Sequence, residues 1–283
     1  MMELLPDGFA GEFADAMDEG YADALLDPAV IGPSDDRRRV IRPDRMPYAA
    51  VCYLERSFGS RNFGCTGTLI APDLVLTAGH CLIRRGGQVP DRIRVQPGRN
   101  GPRIRESLPV RATYVPRRYA ERRDPLYDFG LIRLAARPRT VPGPVFPHAA
   151  SDAQLRAFLR GRQVQIAGYP SDKPRGTMWT HGEVLRRFDR RQLLHVVDTC
   201  PGHSGSAVLA RIGRCQRVIG IHVAGVSDPR TGRSYGCHPG SRAAPEAGGV
   251  NRAIRITPVI LAALAGRPVP GGYAMTRVWP PAA

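Results

Sequence analysis

Three residues of this 283-residue chain stand in settings suited to attack by a hydroxyl on a carbonyl. His80 closes an apolar stretch in Thr77-Ala78-Gly79-His80-Cys81, Asp128 lies in Tyr127-Asp128-Phe129-Gly130, and Ser204 in Gly202-His203-Ser204-Gly205-Ser206. A serine hydroxyl is a poor nucleophile at neutral pH, so a neutral imidazole must take its proton during attack. That imidazole needs an acceptor behind it to fix its tautomer and stabilise its cation, a role that falls to Asp128. Gly202 and Gly205 let the backbone turn sharply around Ser204. The N–H groups of Gly202 and Ser204 can then converge on a developing oxyanion.

Such groups need rigid carriers, and the pattern supplies strands. Ala49–Leu54, Thr68–Thr77, Arg92–Gln96, Arg111–Val115 and Gly130–Leu134 are apolar or alternating runs bounded by turn residues. A second set follows the Pro-rich linker Pro138–Pro147: Gln163–Ala167, His181–Leu185, Leu193–Val197, Ala207–Ala210 and Arg217–Val223. Gly 31, Pro 27 and 42% apolar residues suit a turn-rich all-β chain. One helix is legible, with Thr257 as N-cap, Pro258 at its first position and Gly266 as stop. It is expected to pack on the second set of strands. The Pro/Gly tail after Gly266 is expected to be poorly ordered. No apolar run approaches the roughly 20 residues of a membrane helix, and no basic-then-apolar leader opens the chain. Six cysteines fit an oxidising compartment. Cys65 and Cys81 bracket the strand that delivers His80, and are expected to pair.

With these motifs the chain resembles the bacterial glutamyl endopeptidases of the trypsin-like superfamily. The resemblance also rests on Val30-Ile31-Gly32, Asp35-Asp36-Arg37, Pro97-Gly98-Arg99-Asn100-Gly101, Gly168-Tyr169-Pro170, Asp172-Lys173, Gly176-Thr177, Trp179, His181, Asp198-Thr199 and Asn251-Arg252. It runs from about Val30 to about Leu264. It implies an all-β fold of two six-stranded antiparallel β-barrels with a C-terminal helix, the His80–Asp128–Ser204 triad lying in the cleft between them. The domains implied are an N-terminal barrel over 30–147 and a C-terminal barrel with the helix over 148–266, flanked by an acidic pro-segment 1–29 and the tail 267–283. A disulfide from Cys200 to Cys237 follows from the family, which leaves Cys52 with Cys215. Ala207 stands where proline is usual, and Val223 where a hydroxyl or aromatic side chain is common.

The resemblance further implies cleavage after glutamate, and less well after aspartate. Thr199 and His222 would line the pocket for that carboxylate, Val223 would offer its backbone to substrate, and a new terminus at Val30 would complete the pocket. The competing signal is Asp198, six residues before Ser204. It resembles the aspartate that trypsin carries at that spacing to hold an Arg or Lys side chain, although glutamyl endopeptidases can carry it too. Trypsin sets its new α-amino group beside an aspartate just before the nucleophile; here that position is His203, so the resemblance implies no acidic partner for a new terminus there. After Ala29 there are five glutamates and 40 arginines, a composition that an Arg-cleaving enzyme would degrade.

Charge admits another class of function. Met1–Ala29 holds eight of the 25 acidic residues and none of the 41 basic ones, which raises the formal charge from +16 for the chain to +24 for the remainder. Such a surface can attract polyanions or an anionic cell surface, although no nucleic-acid-binding motif accompanies it. The partners expected are peptide or protein substrates, with no cofactor, no metal, a monomeric state and an extracytoplasmic location.

Overall fold

Two curved antiparallel sheets carry the chain, seen in a computed structural model that describes residues 31, 34–225, 237 and 250–280. The acidic segment 1–29 and Val30 lie outside the described residues. The strands are β1 (Arg38–Arg39), β2 (Val51–Phe58), β3 (Arg61–Ala71), β4 (Leu74–Thr77), β5 (Arg92–Pro97), β6 (Leu108–Pro116), β7 (Gly130–Leu134), β8 (Val164–Gly168), β9 (Trp179–Glu183), β10 (Leu185–Phe188), β11 (Gln192–His195), β12 (Ala207–Ile212), β13 (Cys215–Ala224), β14 (Asn251–Arg255) and β15 (Met275–Trp279). Among the described residues three short α-helices join them: α1 (Arg117–Arg122), α2 (Asp152–Leu159) and α3 (Pro258–Leu264).

The first sheet runs β15-β6-β5-β2-β3-β4-β7, and β6 also pairs with β7. That pairing closes β2 to β7 into a six-stranded barrel. The run expected as one strand over Thr68–Thr77 is two, β3 and β4, reversed at Pro72-Asp73. Proline has no N–H for the ladder and a fixed φ, so it breaks the run. The second sheet runs β1-β9-β8-β12-β13-β14-β11-β10. Its strands β9 and β10 are separated only by Val184, so the sheet curls until β10 at one end and β9, beside the edge strand β1 at the other, belong to one bent stretch.

Apolar faces turn inward in both sheets. One cluster spans the first barrel and inward residues of β12 to β14, and a second fills the other sheet around Leu155, Phe158 and Ile166. Helix α3 begins as expected, the Thr257 hydroxyl accepting from Ile260 N–H behind Pro258. Its Ile260 and Leu264 join the larger cluster, so the helix packs where both sheets meet. Helix α2 was not foreseen, although Ser151 and Gln154 form a capping box whose spacing is visible in the sequence.

Two expectations are corrected. As far as Pro280 the tail after Gly266 is not loose: β15 pairs with Thr113–Pro116 of β6, and Tyr273 packs on Tyr127 with ring centroids 4.6 Å apart. Cys52 and Cys215 do not pair. Cys52 is buried in β2 of the first barrel and Cys215 is exposed at the start of β13 in the other sheet. The disulfides are Cys65–Cys81 and Cys200–Cys237.

Candidate active site

The pairing of β4 with β7 brings the first two residues together. Thr77 at the end of β4 lies opposite Gly130 at the start of β7. The chain then leaves β4 into a turn at Gly79–Cys81 that carries His80, while Asp128 sits two residues before Gly130. Cys81 is tied back to Cys65 on β3, which holds the turn. His80 Nδ1 lies 2.7 Å from Asp128 Oδ2, and the His80 backbone N–H donates to Oδ1 at 2.9 Å. A carboxylate only accepts, so Nδ1 carries the proton and Nε2 is left to exchange one. That Nε2 is buried and has no partner among the described residues. Residue 79 must be small here, since a Cβ would meet the Tyr119 ring at 2.8 Å and Asp128 Oδ1 at 3.0 Å. Tyr119 is buried beside Asp128; burial and that negative charge push its phenol well above the ordinary range.

The turn around Ser204 is held through its carbonyls. His203 N–H donates to Cys200 O, Ser171 N–H to Pro201 O, the Thr66 hydroxyl to Gly202 O, Ser206 N–H to His203 O and Thr66 N–H to Ser204 O, all between 2.7 and 3.0 Å. Gly205 N–H donates to His222 O on β13. Among the described residues, the N–H groups of Gly202 and Ser204 alone in this turn have no acceptor. Those are the two donors an oxyanion would require. Gly202 and Gly205 have φ of 95° and 85°, which favours glycine at both. Ser204 Oγ makes no hydrogen bond to His80; the backbone of Ser204 reaches its side through Cys81, whose Sγ is 3.5 Å from Ser204 O.

Thr199, five residues before the serine, and His222, whose carbonyl accepts from Gly205 N–H, are fully buried. The Thr199 hydroxyl has no partner among the described residues. His222 Nδ1 lies 3.3 Å from Nε2 of His195, the last residue of β11. His195 went unremarked in the sequence, though a histidine inside the apolar run Leu193–Val197 is a signal for a buried polar contact. Val223 follows His222 on β13 and is buried. Asp198 does not lie open: its Oδ2 accepts from the Asp36 N–H at 2.9 Å, and its own N–H donates to His181 Nδ1.

That contact is part of a dock for the segment after Val30. Ile31 is buried against Cys200 and Cys237. The buried Arg37 guanidinium binds Asp35 and Asp172, and Lys173 reaches Asp35 at 2.7 Å. Hydrogen bonds from Arg37 and Lys173 hold the Asp35 carboxyl far below the usual range.

A closed barrel and a curled sheet meeting at such a His–Asp pair and serine turn define the two-barrel serine proteases. A family model described as Trypsin matches residues 38–240, and the chain belongs to that family. It is 36% identical over 186 residues to a glutamyl endopeptidase of Bacillus licheniformis, a match covering 64% of this chain and 54% of that one. It is 30% identical over 215 residues to a protein of Bacillus subtilis (strain 168) named extracellular metalloprotease, covering 73% and 66%. The chain thus spans about half to two thirds of the length of these relatives. A solved Glu endopeptidase in complex with MPD superposes with a TM-score of 0.63 at 27% identity, over 81% of this chain and 94% of that one.

The buried imidazoles make the fold acid-sensitive. Burial lowers His222 to about 3 and holds His195 and His203 well below the ordinary value of 6.5. Unfolding returns each to that ordinary value, so below it the unfolded chain binds more protons. Their neutral burial is therefore tolerated above about pH 6.5, and stability is lost as pH falls toward 3. Urea unfolding should show little slope from these groups above pH 7. Below 6.5 the free energy should fall, approaching about 1.4 kcal/mol per pH unit for each histidine. His222→Gln should remove one histidine's share, and an unchanged stability between pH 6.5 and 4.5 in the parent chain would contradict the assignment.

Proposed function

We propose that the chain is a serine endopeptidase that cleaves after glutamate, and less well after aspartate. Ser204 Oγ attacks the scissile carbonyl carbon while its proton passes to His80 Nε2. Asp128 holds the ring and stabilises the imidazolium. The carbonyl oxygen becomes an oxyanion held by the N–H groups of Gly202 and Ser204. The C–N bond breaks as His80 returns the proton to the departing amine, leaving an acyl-Ser204 ester. Water, deprotonated by the same imidazole, then releases the acid and the free serine.

The reading for glutamate is supported by the buried hydroxyl of Thr199, five residues before the serine and without a partner among the described residues. A buried donor without a partner is costly unless a ligand supplies one. His222 fits the same ligand. It is neutral, and in the tautomer in which His195 Nε2 donates to its Nδ1 its own proton sits on Nε2, a donor for a carboxylate. The reading for Arg or Lys is weaker, because the Asp198 carboxylate is engaged by the Asp36 N–H.

A metal mechanism, suggested by the name of the Bacillus subtilis relative, does not suit the donor sets. Among the described residues three groups have ligand-type spacing, and two of them contain the disulfide cysteines, which cannot act as thiolates. In the third, Asp36, His181 and Asp198, the Asp198 carboxylate already accepts from the Asp36 N–H and His181 Nδ1 from the Asp198 N–H. The disulfides suit an extracytoplasmic site of action, and no helix among the described residues is long and apolar enough to cross a membrane.

Peptide libraries should give Glu at P1 as the best substrate, Asp lower and Arg negligible. Thr199→Val should lower kcat/KM for Glu peptides by about 1.5–3 kcal/mol relative to an apolar P1, the cost of a hydrogen bond stripped from a buried charge. A wild-type preference for Arg or Lys, or an equal loss across P1 residues, would refute this pocket.

The same reading assigns residues 1–29 as an acidic pro-segment. Cleavage between Ala29 and Val30 would create an ammonium with up to three donors for the glutamate carboxylate. Ile31, Asp36 and Arg37 are already held in place, so the new charge is the chief thing activation adds. Attraction between the acidic segment and the basic body is screened by salt and is too weak a lock alone. Protein verified to begin at Val30 should exceed the intact chain in kcat/KM on Glu peptides; equal values would leave the segment no part in activation.

A further inference from the structure

Thr66 lies in β3 of the first barrel, fully buried, yet its hydrogen bonds mostly leave that barrel. Its N–H donates to Ser204 O at 3.0 Å, its hydroxyl donates to Gly202 O at 2.7 Å, and the same hydroxyl accepts from Tyr169 N–H at 3.0 Å. Its carbonyl accepts from the Thr77 hydroxyl at 2.8 Å, three residues before His80. A space is kept for the hydroxyl by Gly168, where a Cβ would meet Thr66 Oγ1 at 2.8 Å and His203 Cδ2 at 2.9 Å.

We infer that the Thr66 hydroxyl is a positioning group for the oxyanion donors, acting through the peptide between them. The inference rests on the serine-protease reading of Ser204. The two donor N–H groups belong to the peptides Pro201–Gly202 and His203–Ser204, whose carbonyls are held by Ser171 and Ser206. The peptide between them, Gly202–His203, has its N–H held by Cys200 O, and its carbonyl is held by Thr66 alone among the described residues. Gly202 has no side chain to restrict it, so rotation of this middle peptide changes the angle between the donors. A donor pair must be aimed before charge develops to be effective, because reorganisation during the reaction forfeits its value. The Tyr169 N–H completes the device: it fixes the hydroxyl's lone pair and so directs its proton at Gly202 O.

The test uses Thr66→Val, which keeps the shape and removes both hydrogen bonds, Thr66→Ala, and Thr66→Ser, which restores the hydroxyl. Each is assayed for kcat and KM on a Glu peptide, and for inhibition by the matching peptide aldehyde, whose adduct places an oxyanion in the site. Removing one whole donor costs about 10²–10³ in kcat, and misaiming should cost less. Val and Ala should therefore lower kcat roughly 10- to 100-fold with KM within about twofold. Aldehyde affinity should fall in parallel, and Ser should recover to within about threefold of wild type. Wild-type kcat in either folded variant, a loss confined to KM, or a Ser variant as impaired as Val would overturn the inference. So would failure of both Val and Ala to fold by near-UV circular dichroism, which would make Thr66 a residue of barrel assembly. Labelling of wild-type Ser204 by a serine-directed phosphonate separates the two levels. If Ser204 is labelled and Thr66 variants are unaffected, only this inference fails; if it is not labelled, the reading beneath it fails as well.

Discussion

The carboxylate of Asp128 is almost wholly buried, and a charge in that position is tolerated only when its oxygens are met by donors. His80 meets both, one through its ring and one through its own backbone N–H. That double contact requires β4 and β7 to pair in the register that sets Thr77 against Gly130. It also requires a residue without a Cβ at position 79 and a disulfide to keep the turn against β3. The barrel's closure by β6 on β7 then has a chemical consequence. It fixes the strand that delivers the acceptor behind the imidazole.

The serine arrives from the other sheet, so the site depends on how the sheets are joined. The join is polar at the turn and apolar around it. Thr66 clamps the turn and is itself held by the Thr77 hydroxyl, while Val51 and Tyr53 of the first barrel pack with Ala167, Tyr169 and Met178 of the curled-sheet half. Gly205 sits in the clamp because a Cβ there would overlap Thr66 O and the Thr77 hydroxyl. The N-terminal segment is fastened to the same sheet through Arg37, Asp35 and Asp172, which brings the chain following Val30 beside Asp198 and the Cys200–Cys237 disulfide. Turn and segment therefore share one wall.

Much of this is written locally. His80, Asp128 and Ser204 each stand in a short motif that fixes its own backbone, so their chemistry could be inferred before any contact was seen. The helix at Pro258 was legible for the same reason, its cap and stop lying within ten residues. What the sequence concealed depends on partners distant in the chain. Thr66 is one threonine among many until it meets Gly202 136 residues away. Tail strand β15 is a short, half-exposed stretch whose order comes from β6, some 160 residues earlier. Pairing Cys52 with Cys215 by elimination ignored that the two lie in different sheets. His195 gains meaning only from the ring of His222.

The central claim is that Ser204 is the nucleophile, activated by the imidazole that Asp128 holds. Its most direct test is to react the protein, cut before Val30, with a peptide phosphonate and map the adduct by mass spectrometry. The account predicts one adduct per chain, on the peptide containing Ser204. It also predicts that the adduct is lost in Ser204→Ala and greatly slowed in His80→Ala. An adduct on another residue, or labelling at the wild-type rate without the His80 imidazole, would contradict it.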